Sequence, residues 1–271
     1  MTDKLTPDKV RRLPRQAERQ RAISEAVMAE GAVRIEQLAE RFNISLMTVH
    51  RDLDELESRG LLRKSRGVAT AQASSLVESS TVYRAGQQLA EKRALARAAM
   101  EFIEPGQSIF LDDSTTVQQM AGLLSAKTPL TVITNVLTLL NELHGARGIS
   151  LVALGGNYYN WCNAFMGRMT NEAIAKLRAD VFVMSTAAIT DDTCFFQTPE
   201  TVDTKRAMFD AAAMRILVTD RTKFEKRALH ALAHLTEFNV VIVDAMTPEA
   251  DIARLQSQGI RVVVAAEASH P

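Results

Sequence analysis

The stretch "NISLMTVHRDLDELESRGLLRKSRG", Asn43–Gly67, decides how the N-terminal part of this 271-residue chain is read. Asn43 and Ile44 suit a tight turn, and Ser45 suits a helix N-cap because its hydroxyl can accept from the free amides of the next turn. A helix then runs to about Arg59, closed by Gly60. At 100° per residue, Val49, Leu53 and Leu56 share one face with Leu46 beside them, whereas Met47, Arg51, Asp54 and Ser58 lie opposite, flanked by Thr48 and His50. "LLRKSRGVAT" follows as a β-hairpin with Gly67 near its tip. Upstream, Arg15–Glu30 reads as a helix with Gly31 just past its end. Ile35 to Phe42 reads as a second short helix, with Ile35, Leu38, Ala39 and Phe42 on one face.

A helix with one core face and one polar, mixed face can lie in a DNA major groove and contact base edges. Arg34, Ser45, Met47, Thr48, His50 and Arg51 are the candidate contacts, with Ser45 and Thr48 suited to phosphate and Arg51 to guanine or phosphate. Lys64 and Arg66 would reach backbone or minor groove from the hairpin as a wing. The same geometry also describes a three-helix packing module with no role on DNA.

Charge agrees with a polyanion partner near the N-terminus. The chain is neutral overall, but residues 1–68 hold 14 Lys/Arg against 11 Asp/Glu and the remainder 18 against 21. Lys9, Arg11, Arg12, Arg15, Arg19 and Arg21 crowd into the first part of the basic region, which would equally suit a solvated helix face. Two cysteines, Cys162 and Cys194, make no disulfide framework and point to a reducing cytoplasm. No apolar run approaches the roughly 18–20 residues of a spanning helix, and "MTDKLTPDKVRRLPRQ" lacks the apolar core of a signal peptide. A cytoplasmic protein without a membrane segment is expected.

"ATAQASSLVESS", Ala69–Ser80, is small and polar and reads as a linker. Beyond it, helices alternate with the runs "SIFLDD", "LTVITN", "SLVALGG", "VFVMSTA", "RILVTD", "VVIVD" and "RVVVAA". Near-continuous apolar strands with helices between them predict a mostly parallel sheet covered on both faces. Ligands bind such sheets at the carboxyl ends of the strands, which directs attention to Asp112–Thr116, Asn135, Gly155–Gly156 and Asp220–Lys223. Asp112-Asp113 ends a strand, and Ser114-Thr115-Thr116 turns into a helix whose free amides suit a phosphate. The carboxylates suit sugar hydroxyls, as does Asn135; Gly155-Gly156 permits close backbone approach; and Lys205 and Lys223 are candidate cations, Lys205 ranked above Lys223. Each of these also has a structural reading as a helix cap or salt bridge. His230 and His234, at i, i+4, read as surface helix histidines rather than metal ligands. Tyr158, Tyr159, Trp161 and Phe165 follow the glycines and would close over a ligand or lie at a subunit interface. The thiols have no activating partner in sequence.

The segment "ISEAVMAEGAVRIEQLAERFNISLMTVHRDLDELESRGLLRKSRGVA" resembles the N-terminal winged helix-turn-helix of the DeoR family of bacterial transcriptional regulators. That family's usual pattern is S-x-x-T-[IV]-R-R-D-L-x-x-L-x-x-x-G followed by R-x-H-G-G-A. Here His50 replaces the first paired arginine, which suggests an altered base preference. Arg66-Gly67-Val68 replaces His-Gly-Gly. From about Tyr83 to Ala265 the chain resembles the DeoR effector domain, which shares the ribose-5-phosphate isomerase fold. The blocks that carry this are "EKRALARAAMEFIEPGQSIFLDDSTT", "LTVITNVL", "LVALGG", "AFMG" and "DTKRAM…ILVTDRTKF". Ser114 stands where the family has glycine in D-x-G-T-T, and Arg168 follows Gly167 where proline is frequent. No lysine precedes the glycines of "LVALGGN", and "MSTAAITDD" lacks the isomerases' Asp-Gly-Ala-Asp-type block, so the resemblance implies binding without turnover.

The expected organisation is an N-terminal tail (1–14), a winged helix-turn-helix (15–68), a linker (69–80) and a larger α/β effector-binding domain with a mostly parallel, ribose-5-phosphate-isomerase-like sheet (81–271). The expected function is a regulator, a repressor of a sugar or sugar-acid operon, which binds operator DNA as a homo-oligomer and is released by a phosphorylated sugar. No cofactor, metal or catalytic residue is expected. The alternatives are a sugar-phosphate isomerase fused to a helix-turn-helix and a DNA-binding scaffold with a vestigial pocket.

Overall fold

The computed structural model describes residues 15–30, 32–58, 62–71 and 81–266. These fall into two compact units that divide between residues 73 and 74. The expectations for the tail, for Gly31 and Gly60 and for most of the linker lie outside the described residues.

The N-terminal unit contains α1 (Arg15–Glu30), β1 (Ala32–Arg34), α2 (Ile35–Phe42), α3 (Leu46–Ser58), β2 (Leu62–Ser65) and β3 (Val68–Ala71). Its core is Ile23, Val27, Leu38, Val49, Leu53 and Leu56, each at most 2% exposed. Burial of each such side chain stabilises the unit by roughly 1.5–3 kcal/mol. The strands form one antiparallel sheet in the order β1-β3-β2. Two expectations, for Leu46 and for the start of the linker, are corrected, and one burial, that of Asp52, was not foreseen. Leu46 is 47% exposed and does not join the core, because it sits on the first turn, ahead of the packed stripe. Asp52, in an apparently charged run, is buried. Ala69–Ala71, read as the start of a linker, belong to β3, where Ala69 pairs with Val33 on one side and Lys64 on the other. At the hairpin turn Arg66 and Gly67 both have left-handed backbone, φ 48° and 78°. This is the primed-turn geometry that matches strand twist, and glycine meets it without strain.

The C-terminal unit runs α4 (Thr81–Gly86), α5 (Leu89–Ala99), β4 (Ser108–Leu111), β5 (Leu130–Thr134), α6 (Leu137–Leu143), β6 (Ile149–Ala153), β7 (Asn157–Tyr159), β8 (Ala164–Met166), α7 (Arg168–Ile174), β9 (Ala179–Met184), β10 (Ala188–Thr190), β11 (Thr193–Phe196), α8 (Pro199–Asp210), β12 (Ala212–Thr219), β13 (His230–His234), β14 (Val240–Val243), α9 (Glu249–Ser257) and β15 (Val262–Val264). All seven apolar runs are strands of one parallel sheet, ordered β15-β14-β12-β9-β4-β5-β6. Alternation along each strand feeds two cores. Ile109, Leu111, Val181, Val183, Val240 and Ile242 pack with α5 and α6 on one face. Phe110, Phe182, Met184, Val241 and Val243 pack with α7, α8 and α9 on the other. Both faces are therefore buried, which is why the strands read as continuous hydrophobic runs.

The chain builds β4, β5 and β6 outward in one direction. It then returns to lay β9 on the opposite side of β4, so the order reverses between β4 and β9. In open parallel sheets this reversal opens the crevice where ligands bind. The segment after Thr116, expected as an ordinary helix, winds as a tighter 3-10 helix over Val117–Lys127. His230 and His234 are not on a helix. They end strand β13, which pairs with β11 in a small antiparallel sheet, because "LHALAH" alternates apolar residues at the strand period. Among the described residues no helix is long and apolar enough to cross a membrane.

Candidate functional sites

The first candidate surface is α3. Ser45 caps it, with its hydroxyl accepting from the Thr48 amide at 3.2 Å and lying 2.9 Å from the Thr48 hydroxyl. Met47 is 79% exposed, and His50 and Arg51 are exposed beside it, while Thr48 is half-buried. Arg34 and Arg66 are exposed as well, at the start of α2 and at the wing tip. Lys64 differs. Its ammonium pairs with Asp54, and its amide donates to Glu57 Oε1 at 2.9 Å, so it staples the wing to α3.

The pose of α3 is set from its buried side. Arg19 Nε donates to Asp52 Oδ2 at 2.6 Å, Arg19 NH2 donates to Asp52 Oδ1 at 3.1 Å, and Gln20 Nε2 reaches Asp52 Oδ1 at 3.1 Å and Glu55 Oε2 at 2.8 Å. The hydrogen bond and charge of Asp52 hold the Arg19 guanidinium above its ordinary pKa. Arg19, counted in sequence among cations for a polyanion, is thus an internal strut, and Arg21 pairs with Glu25 one turn on. No pattern in the sequence announces a partnership 33 residues long.

The second candidate is the switch-point crevice. Asp112, 1% exposed, links the two central strand ends: Oδ1 accepts from the Ser114 amide and Oδ2 from the Ser185 amide, both at 3.0 Å. Lys205, on α8, contacts Asp112 Oδ2 and Asp113 Oδ1, each at 2.5 Å. Burial works against all these charges, but the mutual attraction prevails. Lys205 is held above the usual lysine range by Asp112 and Asp113, and Asp113 below the usual carboxylate range by Lys205 and Arg84. Lys205, ranked first in sequence as the cation for an anionic ligand, is instead occupied by two carboxylates. Ser114 accepts the Val117 amide at 3.2 Å, and Thr115 and Thr116 are buried beside it. Asn135 Nδ2 donates to the Phe165 carbonyl at 2.7 Å, while its buried Oδ1 has no protein partner.

The glycines have an intramolecular reason. A Cβ on Gly156, at φ 155°, would stand 2.1 Å from Thr170 Oγ1, and Thr170 Oγ1 itself donates to the Gly155 carbonyl at 2.8 Å. Tight packing on α7, rather than approach to a ligand, therefore requires Gly156. Asp220, buried, accepts from the Thr222 amide at 3.0 Å and from the Thr222 hydroxyl. Burial opposes its charge, yet Lys223 and Thr222 hold it below the usual range.

The residue missed in sequence is Lys92, on α5. It is 4% exposed, and its ammonium donates to the Arg84 carbonyl. Burial first, and then the charges of Lys223, Arg84 and Lys226, push its pKa down to about 8, against the single opposing pull of Asp220. A buried lysine whose pKa is lowered beside other cations marks Lys92 as a candidate residue for an anion site. In "AEKRALARAA" it was masked by its resemblance to an ordinary solvated helix. Its helix packs on the 3-10 helix that Ser114–Thr116 begins. The thiols of Cys162 and Cys194 are pushed up to about 12 by burial, which makes them inert. No cluster of three or more metal-ligating side chains exists among the described residues.

Comparison with known proteins agrees with this division. Residues 19–75 match the model of the DeoR-like helix-turn-helix domain, and residues 87–245 match that of the DeoR C terminal sensor domain. The chain is 32% identical to the transcriptional repressor AccR of Agrobacterium fabrum, over 85% of this chain and 90% of that protein. It is 32% identical to the lactose phosphotransferase system repressor of Staphylococcus epidermidis, over 82% and 89%. It is 27% identical to a putative aga operon transcriptional repressor of Escherichia coli O157:H7, over 93% and 94%. Among solved structures it is similar to the ribose 5-phosphate isomerase of Methanocaldococcus jannaschii, at 13% identity and TM-score 0.35 over 49% of this chain and 52% of that one. With one family model covering its first unit and another most of its second, the chain belongs to the DeoR family of transcriptional regulators.

Proposed function

We propose that this protein represses a sugar or sugar-acid catabolic operon and is released from its operator by a phosphorylated sugar metabolite. Repression is supported by the relatives, which carry that role in their names. On the DNA side, the exposed Met47, His50 and Arg51 on the outer face of α3 supply an apolar contact for a thymine methyl, a hydrogen-bonding ring and a bidentate donor. Ser45, Thr48, Arg34 and Arg66 then address the backbone around that helix. A homo-oligomer, a dimer or tetramer, matches paired half-sites.

The observation that carries the effector half is Lys92, a buried ammonium with a pKa near 8 that an incoming anion would neutralise. Ser114–Thr116 and Lys223 complete the anion-binding end of this reading. Asp113 and the unpartnered Asn135 Oδ1 supply acceptors for ligand hydroxyls. Beside Asp112, Lys205 is held above the usual lysine range and Asp113 below the usual carboxylate range, each by the other's charge against the cost of burial. That suits fixed charge rather than proton transfer, which needs a group titrating near the working pH. Lys92, which does lie near neutrality, already donates its ammonium to the Arg84 carbonyl, and the relatives are repressors by name, so we read the pocket as a binding site without turnover.

Separating the two roles tests the proposal. Arg51→Ala weakens operator binding and leaves ligand-induced thermal stabilisation intact. Thr115→Ala with Thr116→Ala does the reverse. Loss of both properties in both variants would overturn the assignment.

A further inference from the structure

The chain enters the C-terminal unit at α4, and α4 is fastened to two places at once. Thr81 donates to the Trp161 carbonyl through both its amide and its hydroxyl, each at 2.9 Å. Arg84 lies over the Trp161 ring, its guanidinium carbon 5.9 Å from the centroid. Trp161 occupies the tip of the β7–β8 hairpin, and that hairpin is itself fixed. The Phe165 amide donates to the Asn135 carbonyl at 2.8 Å, and the Leu137 amide to the Asn163 carbonyl at 2.9 Å. At the other end of the short helix, the Arg84 carbonyl accepts from Lys92. One ammonium therefore holds the end of α4 and also faces the cationic cluster of Lys223 and Lys226.

We propose that α4 is a latch. It stays docked on the Trp161 hairpin while Lys92 donates to the Arg84 carbonyl, and it is released when an anion takes that ammonium, so that occupancy of the crevice reaches the chain leading to the DNA-binding unit. This rests on the reading of Lys92 as the anion partner. A formal negative charge is a stronger acceptor than a backbone carbonyl, so a seated anion draws the ammonium away from Arg84. A ligand shifts the latch only by its differential affinity for the two states, and the coupling is reciprocal. Thr81→Val, which removes one of the two bonds to Trp161, therefore shifts the two affinities in opposite directions, weakening operator binding and tightening anion binding.

The test uses the full-length protein with inorganic phosphate as the probe, at concentrations where thermal stabilisation has reached its plateau. Amide hydrogen exchange is followed over Thr81–Gly86. The expected result is stabilisation by phosphate together with exchange of these amides faster by about fivefold or more, and no acceleration in Lys92→Met. Stabilisation with unchanged or slower exchange at α4 overturns the latch and leaves the anion site standing. Absence of both effects removes the anion site and the latch with it. In Thr81→Val, changes in the two affinities of the same sign also overturn it.

Discussion

Asp52→Ala is the sharpest probe of how the DNA-reading helix is held. The Asp52 carboxylate is 1% exposed and accepts three hydrogen bonds, two from Arg19 and one from Gln20. Removing one member of a buried ion pair costs about 3–5 kcal/mol, because the partner is left uncompensated. Arg19 retains 26% of its side-chain exposure and can regain water, whereas Gln20 is buried and regains little. A cost of about 2–4 kcal/mol follows. For a unit this small the whole stability is on the order of 3–9 kcal/mol, so the variant's first unit is largely unfolded under mild denaturant. The sequence holds one tryptophan, Trp161, which reports the C-terminal unit alone, while circular dichroism at 222 nm reports both. In urea titrations the early circular-dichroism transition moves down by that amount, and the tryptophan transition stays in place. Asp52→Asn, which keeps an acceptor for Gln20 but loses the charge, falls between. A shift below about 0.5 kcal/mol would refute the strut, and an equal shift in tryptophan fluorescence would refute the independence of the units.

Three further outcomes are expected. Arg51→Ala costs about 1–3 kcal/mol of operator affinity and flattens its salt dependence, while Lys64→Ala leaves the salt slope nearly unchanged because that ammonium already pairs with Asp54; both are read from binding isotherms over a salt series. Lys92→Met stabilises the protein in phosphate-free buffer, since a buried cation among cations is removed, and abolishes stabilisation by phosphate; thermal melts with and without phosphate check both. Phosphate affinity falls as pH rises through about 8, the Lys92 value, because only the ammonium binds the anion, and calorimetry at several pH values reads this. The folding sign is opposite. Lys92 titrates below its ordinary value, so between about 8 and 10.4 the unfolded chain holds the extra proton, and its contribution to stability rises with pH across that window.

The sheet was legible because its strands are buried on both faces, and a strand such as Val240–Val243 then has no polar position to blur it. The helix-turn-helix was legible because its cap, its core stripe and its turn are all local. What sequence concealed depends on partners far along the chain. Asp52 reads as surface in "DLDELE" until Arg19 closes on it, and Lys92 reads as solvated until the ends of β12 and α4 cover it. Lys205 has the right residue type for an anion, yet two strand-end carboxylates claim it first. "LHALAH" carries both a helical histidine spacing and a strand alternation, and pairing with β11 decides for the strand. Spacing shows which faces are apolar. It does not show which charge will be buried against which.

The most direct test of the central claim is fluorescence anisotropy of the purified protein on DNA from upstream of its own gene and operon, with phosphorylated sugars and sugar acids added at fixed salt. The account predicts sequence-specific binding that one phosphorylated compound reverses, with its unphosphorylated counterpart inert. Release by the unphosphorylated sugar alone, or tight specific binding that no member of the panel reverses, would contradict it.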